Sequence, residues 1–138
     1  MKVLVSACLV GRNCKYSGGN NYSKKLVEFL KDKEVIGVCP EVEGGLSIPR
    51  PRVEIRDGKA VNEFGQDVDV QFRNGVSAVM ERIKSQDIDL AVLQSRSPTC
   101  GVHQIYDGNF TGTLIDGQGF LAEALINAGY KVIDVEEL

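Results

Sequence analysis

Three short apolar runs organise the chain: Val3-Leu4-Val5, Val35-Ile36-Gly37-Val38 and Ile88 to Leu93. Each reads as a strand, and the unbroken third run is typical of a strand covered on both faces. Between them the spacing changes to that of a helix. Behind Ser23 as N-cap, Leu26, Val27, Phe29 and Leu30 share one side. From Asp69, Phe72, Val76, Val79, Met80 and Ile83 do the same, and Gly75 among them predicts a close approach to a neighbour. A third helix, roughly Gly119 to Ala128, turns Leu121, Ala124, Leu125 and Ala128 inward and stops at Gly129. Val132-Ile133 supplies a fourth strand. The alternation predicts an α/β fold, a three-layer Rossmann-like sandwich around a mostly parallel sheet of about four strands.

Polar stretches break this pattern in four places. Cys8 to Gly19 is a loop rich in turn formers and too long for a simple connector. Gly44-Gly45 and Pro49-Arg50-Pro51-Arg52 punctuate an irregular excursion. Val53-Glu54-Ile55-Arg56 and Lys59-Ala60-Val61-Asn62, joined by Asp57-Gly58, read as a hairpin appended to the main sheet. Gln104 to Gly112 reads as a second, smaller hairpin turning at Asp107-Gly108. No repeat or low-complexity tract divides the chain, so its 138 residues are expected to form one domain.

Charge narrows the partners. A net charge of -3 and a pI near 5.2 lack the clustered basic footprint that long nucleic acid requires, so a small molecule is the expected partner. No apolar run is long enough to span a bilayer, and the opening residues read as a first strand, which places the chain in the cytoplasm. Four cysteines in a cytoplasmic domain of this size point to ligands or reactive thiols more than to a disulfide framework.

The cysteines follow a rule. Each of the three strand-like runs is followed within a few residues by one: Ser6-Ala7-Cys8, Cys39-Pro40-Glu41, and Ser97-Pro98-Thr99-Cys100-Gly101. In a parallel sheet the three sulfurs arrive at one edge, where open α/β sheets bind their ligands. A single cysteine is ordinarily core filler, but three at strand ends, flanked by glycine, proline or small polar residues, are not. Their wide separation excludes a zinc ribbon and leaves an iron-sulfur site open, with Cys39-Pro40 similar to the cysteine-proline element found beside cluster ligands.

Four motifs in order resemble one bacterial family, that of the thiouracil desulfidases: Cys8-Leu9-Val10-Gly11 with Cys14-Lys15-Tyr16 and Gly18-Gly19; Cys39-Pro40-Glu41 with Gly44-Gly45-Leu46 and Pro49-Arg50-Pro51; Ser97 to Gly101; and Ile105-Tyr106-Asp107-Gly108 with Phe110 and Gly112. The resemblance spans nearly the whole chain. It implies a 4Fe-4S cluster held by Cys8, Cys39 and Cys100, with one iron open to a substrate sulfur, and removal of that sulfur as hydrosulfide from a thiolated nucleobase or nucleotide, by hydrolysis and not by redox chemistry. Glu41, two residues beyond a ligand, is then expected to shuttle protons, and Ser97 to orient water or the base carbonyl. Arg12, Lys15 and Tyr16 are candidates to hold an anionic or planar substrate. The chain departs from the family pattern at Ser17, where members commonly carry Asp; at Gln94-Ser95, where they carry Lys-Glu; and at Thr99, where they carry Ser. These departures bear on which compound is the substrate.

Cys14 stands open between a buried thiol, a transient sulfur acceptor and a fourth ligand, and His103 is expected to be a structural neighbour of Cys100. Two other classes compete. Cys8 and its glycine-bearing loop are superficially similar to the low-molecular-weight phosphatases and arsenate reductases, but their oxyanion clamp needs Arg six residues on, where this chain has Cys14. The other is a structural or sensory metal protein whose closed four-ligand site is completed by Cys14 or His103.

Overall fold

The computed structural model describes residues 1–138. In chain order the elements are β1 (Lys2–Ser6), a 3-10 turn (Ala7–Val10), α1 (Lys24–Leu30), β2 (Glu34–Val38), α2 (Pro40–Glu43), β3 (Val53–Arg56), β4 (Lys59–Asn62), α3 (Asp69–Ile83), β5 (Leu90–Leu93), β6 (Gln104–Tyr106), β7 (Leu114–Asp116), α4 (Phe120–Asn127), β8 (Val132–Asp134) and a closing 3-10 turn (Val135–Glu137). The main sheet has the order β2-β1-β5-β8 and is parallel throughout. After β1 the chain moves to β2 on one side, and it returns to β5 on the other. The reversal of direction leaves a crevice beyond the carboxyl ends of β1 and β5.

Strand alternation assigns the side chains to two cores. Leu4, Ala91 and Leu93 pack on one face with Val76, Val79, Ile83, Leu121 and Leu125 of α3 and α4. Val3, Val5, Leu90 and Val92 pack on the other with Leu9, Leu26 and Leu30. Side chains that alternate along one strand thus bury against different helices, which is the three-layer α/β sandwich expected from the sequence.

Local signals behave largely as read. The Ser23 hydroxyl accepts the Leu26 N–H at 3.2 Å and starts α1. Gly129, at φ 91°, takes the left-handed conformation that ends α4. Three details differ. In α4 the buried side is Leu121, Ala122 and Leu125, and Ala128 is exposed, because the helix ends at Asn127 and its last turn lies beyond the core. The second appendage is wider than a tight turn: Tyr106 pairs with Leu114, leaving 107–113 as a broad loop. The punctuated stretch after Cys39 contains α2, a single turn too short to show a period.

That turn is placed by backbone contact. A Cβ on Gly75 of α3 would stand 1.8 Å from the Pro40 carbonyl oxygen, and one on Gly44 would stand 2.0 Å from that of Gln71. The two helices therefore touch main chain to main chain, and the residues on either side of Pro40, Cys39 and Glu41, take their positions from it.

Candidate active site

The ends of three adjacent strands carry the cysteines. Cys8 lies in the 3-10 turn after β1, Cys39 is the N-cap of α2 directly after β2, and Cys100 follows β5 through the turn Ser97–Gly101. All three line one cavity of about 410 Å³, together with Cys14, Glu41, Arg50, Ser97 and Thr99. All four cysteines are unpaired, and Cys14 and Cys100 are buried.

Each thiol has a distinct environment. Burial pushes the Cys8 thiol up, against a hydrogen bond from Asn21, whose Nδ2 donates to Sγ at 3.6 Å; Cys39 and Glu41 nearby add to the rise. Burial also raises Cys100, opposed by a hydrogen bond with Ser6. Cys39 moves the other way, to about 7, because the Cys14 thiol shares a hydrogen bond with it and the Val42 N–H reaches it from the helix N-terminus. Cys14 is raised by the same pairing. The two residues are also joined through the backbone, with the Cys39 Sγ–H donating to the Cys14 carbonyl at 3.7 Å.

Glu41 is tied at both oxygens. Arg50 Nε donates to Oε1 at 3.1 Å and Thr99 Oγ1 donates to Oε2 at 2.9 Å. Arg50 is itself fixed: Nη2 donates to the Cys14 carbonyl at 2.8 Å, Nη1 to the Ser47 carbonyl at 3.2 Å, and its backbone N–H to the Tyr16 carbonyl at 2.8 Å. Its side chain is only 5% exposed. A single guanidinium thereby joins the Cys8–Gly19 loop, the excursion after α2 and the carboxylate, a task for which its planar fork of donors is suited. The Ser97 hydroxyl oxygen accepts the backbone N–H groups of Thr99 at 3.1 Å and Cys100 at 3.0 Å, fixing the turn that presents Cys100.

Of the residues singled out from the sequence, Cys8, Cys39, Cys100, Glu41, Ser97, Lys15 and Tyr16 come together on this cavity. Arg12 is exposed and does not line it. His103 is exposed and faces Glu137 at 2.7 Å. Arg50, Thr99 and Glu54 also line the cavity, although the sequence suggests no role in the chemistry for any of the three. The Pro-Arg-Pro-Arg punctuation marked Arg50 as part of an ordered excursion, yet its partners Cys14 and Glu41 are set by tertiary contact alone.

No three His, Cys, Asp or Glu side chains converge closely enough to hold one metal ion. Soft thiol donors on three separate loops, surrounding a volume and not a point, fit a polynuclear iron-sulfur centre whose irons each take one ligand. The ends of β1, β2 and β5 bring Cys8, Cys39 and Cys100 to that volume.

Known proteins are similar to this chain in sequence and fold. The chain is 36% identical to the uncharacterized protein YbbK of Bacillus subtilis (strain 168), over 99% of its own length and 97% of the relative's. Its structure matches that of a 4Fe-4S-dependent thiouracil desulfidase, TudS, with a TM-score of 0.92 and 34% identity, covering 99% of this chain and 92% of that one. The model of the 2-thiouracil desulfurase family matches residues 3–137, and with the fold in agreement the chain belongs to that family.

Proposed function

We propose that this protein removes the sulfur of a thiolated pyrimidine such as thiouracil as hydrosulfide, by hydrolysis, at a 4Fe-4S cluster held by Cys8, Cys39 and Cys100 with one iron left to the substrate. Family membership supports the reaction. The observation that carries the reading is the meeting of three unpaired thiols from neighbouring strand ends with a doubly anchored carboxylate in one cavity. Bound there, the cluster supplies a sulfur-seeking Lewis acid that makes sulfur a good leaving group.

The chain supplies the rest. Glu41, held between Arg50 and Thr99, takes a proton from the water that adds to the ring carbon and passes it on as the carbon-sulfur bond breaks. A positioned acid/base of this kind is worth roughly a hundred- to ten-thousand-fold in rate. Ser97 uses its oxygen to accept two backbone N–H groups, which leaves its O–H proton for a carbonyl oxygen of the ring. Lys15 and Tyr16, on the loop that Arg50 ties down, line the cavity and hold the planar ring. Thiouracil and water give uracil and hydrogen sulfide, so atoms balance and no electron is exchanged. No helix is long and apolar enough to cross a membrane, and a reducing cytoplasm suits a site built from unpaired thiols.

The test is anaerobic loading with iron and sulfide, metal analysis, an absorption spectrum, and incubation with thiouracil without reductant. Hydrosulfide and uracil are expected one for one. A cluster-loaded protein inert toward every thiolated pyrimidine would instead favour a structural or sensory metal centre.

A further inference from the structure

The cavity also contains a carboxylate that the proposed reaction does not use. Glu54, on β3, is 6% exposed and lines the cavity together with Glu41 and the cysteines. A buried carboxylate is tolerated only where donors meet it. Its Oε1 accepts the backbone N–H of Gly108 at 3.0 Å and that of Phe110 at 3.1 Å. These bonds fasten the hairpin β3–β4 to the broad loop after β6, where Phe110 is held at φ 57°. Arg56, two residues along the strand, does not neutralise the carboxylate; its Nε donates to the Gly108 carbonyl at 2.9 Å.

All of that structural duty falls on one oxygen. Oε2 has no partner in the chain. No sealed side-chain oxygen or nitrogen of the protein is left unpaired, so Oε2 is not sealed, and Glu54 is one of the residues that line the cavity. Oε2 is an acceptor without a partner, and the two hydrogen bonds to Oε1 fix where it lies.

We propose that Oε2 of Glu54 accepts the ring N–H beside the thiocarbonyl, and that the site thereby selects heterocycles in which C=S adjoins N–H. The identity of the ring rests on the desulfuration reading above; the need for an N–H donor rests on Glu54 alone. A thiouracil ring carries such a donor, and its uracil product keeps it. A ring methylated on both nitrogens has none and would leave the carboxylate buried and unsatisfied. Sites built to hydrogen-bond an N–H reject analogues that lack it, and a bond to a charged acceptor is worth roughly ten- to a hundred-fold in affinity.

Glu54→Gln is a sharp probe because the backbone fixes which way it sits. Two N–H groups require its carbonyl oxygen at the Oε1 position, so its NH2 must face the cavity, replacing an acceptor with a donor in nearly the same shape. Cluster-loaded wild type and variant are titrated with uracil and with N,N′-dimethyluracil, and assayed with the two matching thiouracils. Wild type is expected to favour the N–H form by at least about tenfold in both measurements. Glu54→Gln should lose that preference while iron content and melting temperature stay near wild type. Glu54→Asp, a second variant, keeps the charge but is too short to reach both the loop and a ligand, and should lose the preference as well. Equal wild-type binding of the two uracils, or a preference that survives in Glu54→Gln and so reflects only the bulk of the methyl groups, overturns the assignment. Selective uracil binding without release of hydrosulfide would support Glu54 as the N–H acceptor and overturn the desulfuration reading by itself.

Discussion

Gly75→Ala tests whether the proposed cluster ligand Cys39 and the proposed acid/base Glu41 are positioned by the contact between α2 and α3. The added methyl would stand 1.8 Å from the Pro40 oxygen, 2.7 Å from its carbonyl carbon and 3.0 Å from the Gly44 nitrogen. Cβ contacts closer than about 3.0 Å do not occur, and the obstacle is main chain that no rotamer change can move, so α2 must lift by about 1 Å. Alanine favours the helix by ~1 kcal/mol over glycine, while overpacking costs ~1–3 kcal/mol. The difference leaves a net loss of about 0–2 kcal/mol, which on a chain of this size is a fall of a few degrees in melting temperature. Function has no such compensation, because a displacement of about 1 Å at reacting groups costs on the order of a hundred-fold. The expected result is a 10- to 100-fold loss in kcat/KM with less iron retained per chain, at that small loss of stability. Asn74→Ala, on the exposed side of the same helix, is the control and should change neither activity nor iron content. Full activity and iron content in Gly75→Ala, with a raised melting temperature, would show that α2 does not take its position from this contact.

Glu41→Gln should leave iron content and spectrum unchanged while hydrosulfide release falls at least about tenfold, and Ser97→Ala should show a milder loss in the same assay. Ser in place of Cys8, Cys39 or Cys100 should abolish iron binding, since serine is a harder and far less acidic ligand, whereas Cys14→Ser should keep the cluster; loss of iron in that variant alone would invert the ligand assignment. Arg50→Ala removes one partner of a nearly buried pair and should cost close to the ~3–5 kcal/mol typical of such a break, read by denaturant unfolding together with a loss of turnover as Glu41 is released. Burial would raise the Asp69 carboxyl, but the Ala60 N–H and Arg73 hold it below its ordinary value. Its contribution to stability is therefore fully present above about pH 3.9 and lost as pH falls through the lower folded value, so the stability gap between wild type and Asp69→Asn should close in strong acid.

The sequence made the sheet, the main helices and the cysteine edge readable because each is a local pattern: an apolar run ending in Cys, a helical period behind Ser23, a stop at Gly129. It did not make α2 readable, since one turn has no period, and it placed Ala128 on the buried side because the pattern continues past the point where the helix ends. The site divided in the same way. Cys8, Cys39, Cys100 and Glu41 stand next to recognisable strand ends. Arg50 reaches Glu41 across an irregular excursion, Thr99 reaches it from 58 positions away, and Gly108 meets Glu54 from 54 positions away. Such pairings arise only when the loops are folded together. Arg12 differs from its neighbours Lys15 and Tyr16: a cation beside a cysteine loop looks like a substrate contact, but its side chain is exposed and does not line the cavity.

The hydrogen bonds around Glu41 couple it mechanically to Cys39 and Cys100, the residues proposed as ligands. Thr99 binds Glu41 through its side chain, while its backbone N–H and that of Cys100 are bound by Ser97. Glu41 in turn follows Cys39 at the start of α2, and Arg50 ties it to the carbonyl of Cys14. The ends of β2 and β5 are thus bridged by a carboxylate whose position depends on both. An acid/base group with this anchoring cannot shift relative to Cys39 or Cys100 without breaking a hydrogen bond, so its orientation is set before substrate arrives and need not be organised during the reaction. Arg50 secures one oxygen as a charge partner and Thr99 secures the other as a neutral donor. Only the Thr99 bond can be released and remade around a rotating hydroxyl without leaving a buried charge unpaired. In the proposed mechanism Oε2 is accordingly the oxygen through which the proton passes, and substitution of Thr99 should alter the rate of proton transfer while leaving the ion pair with Arg50 intact.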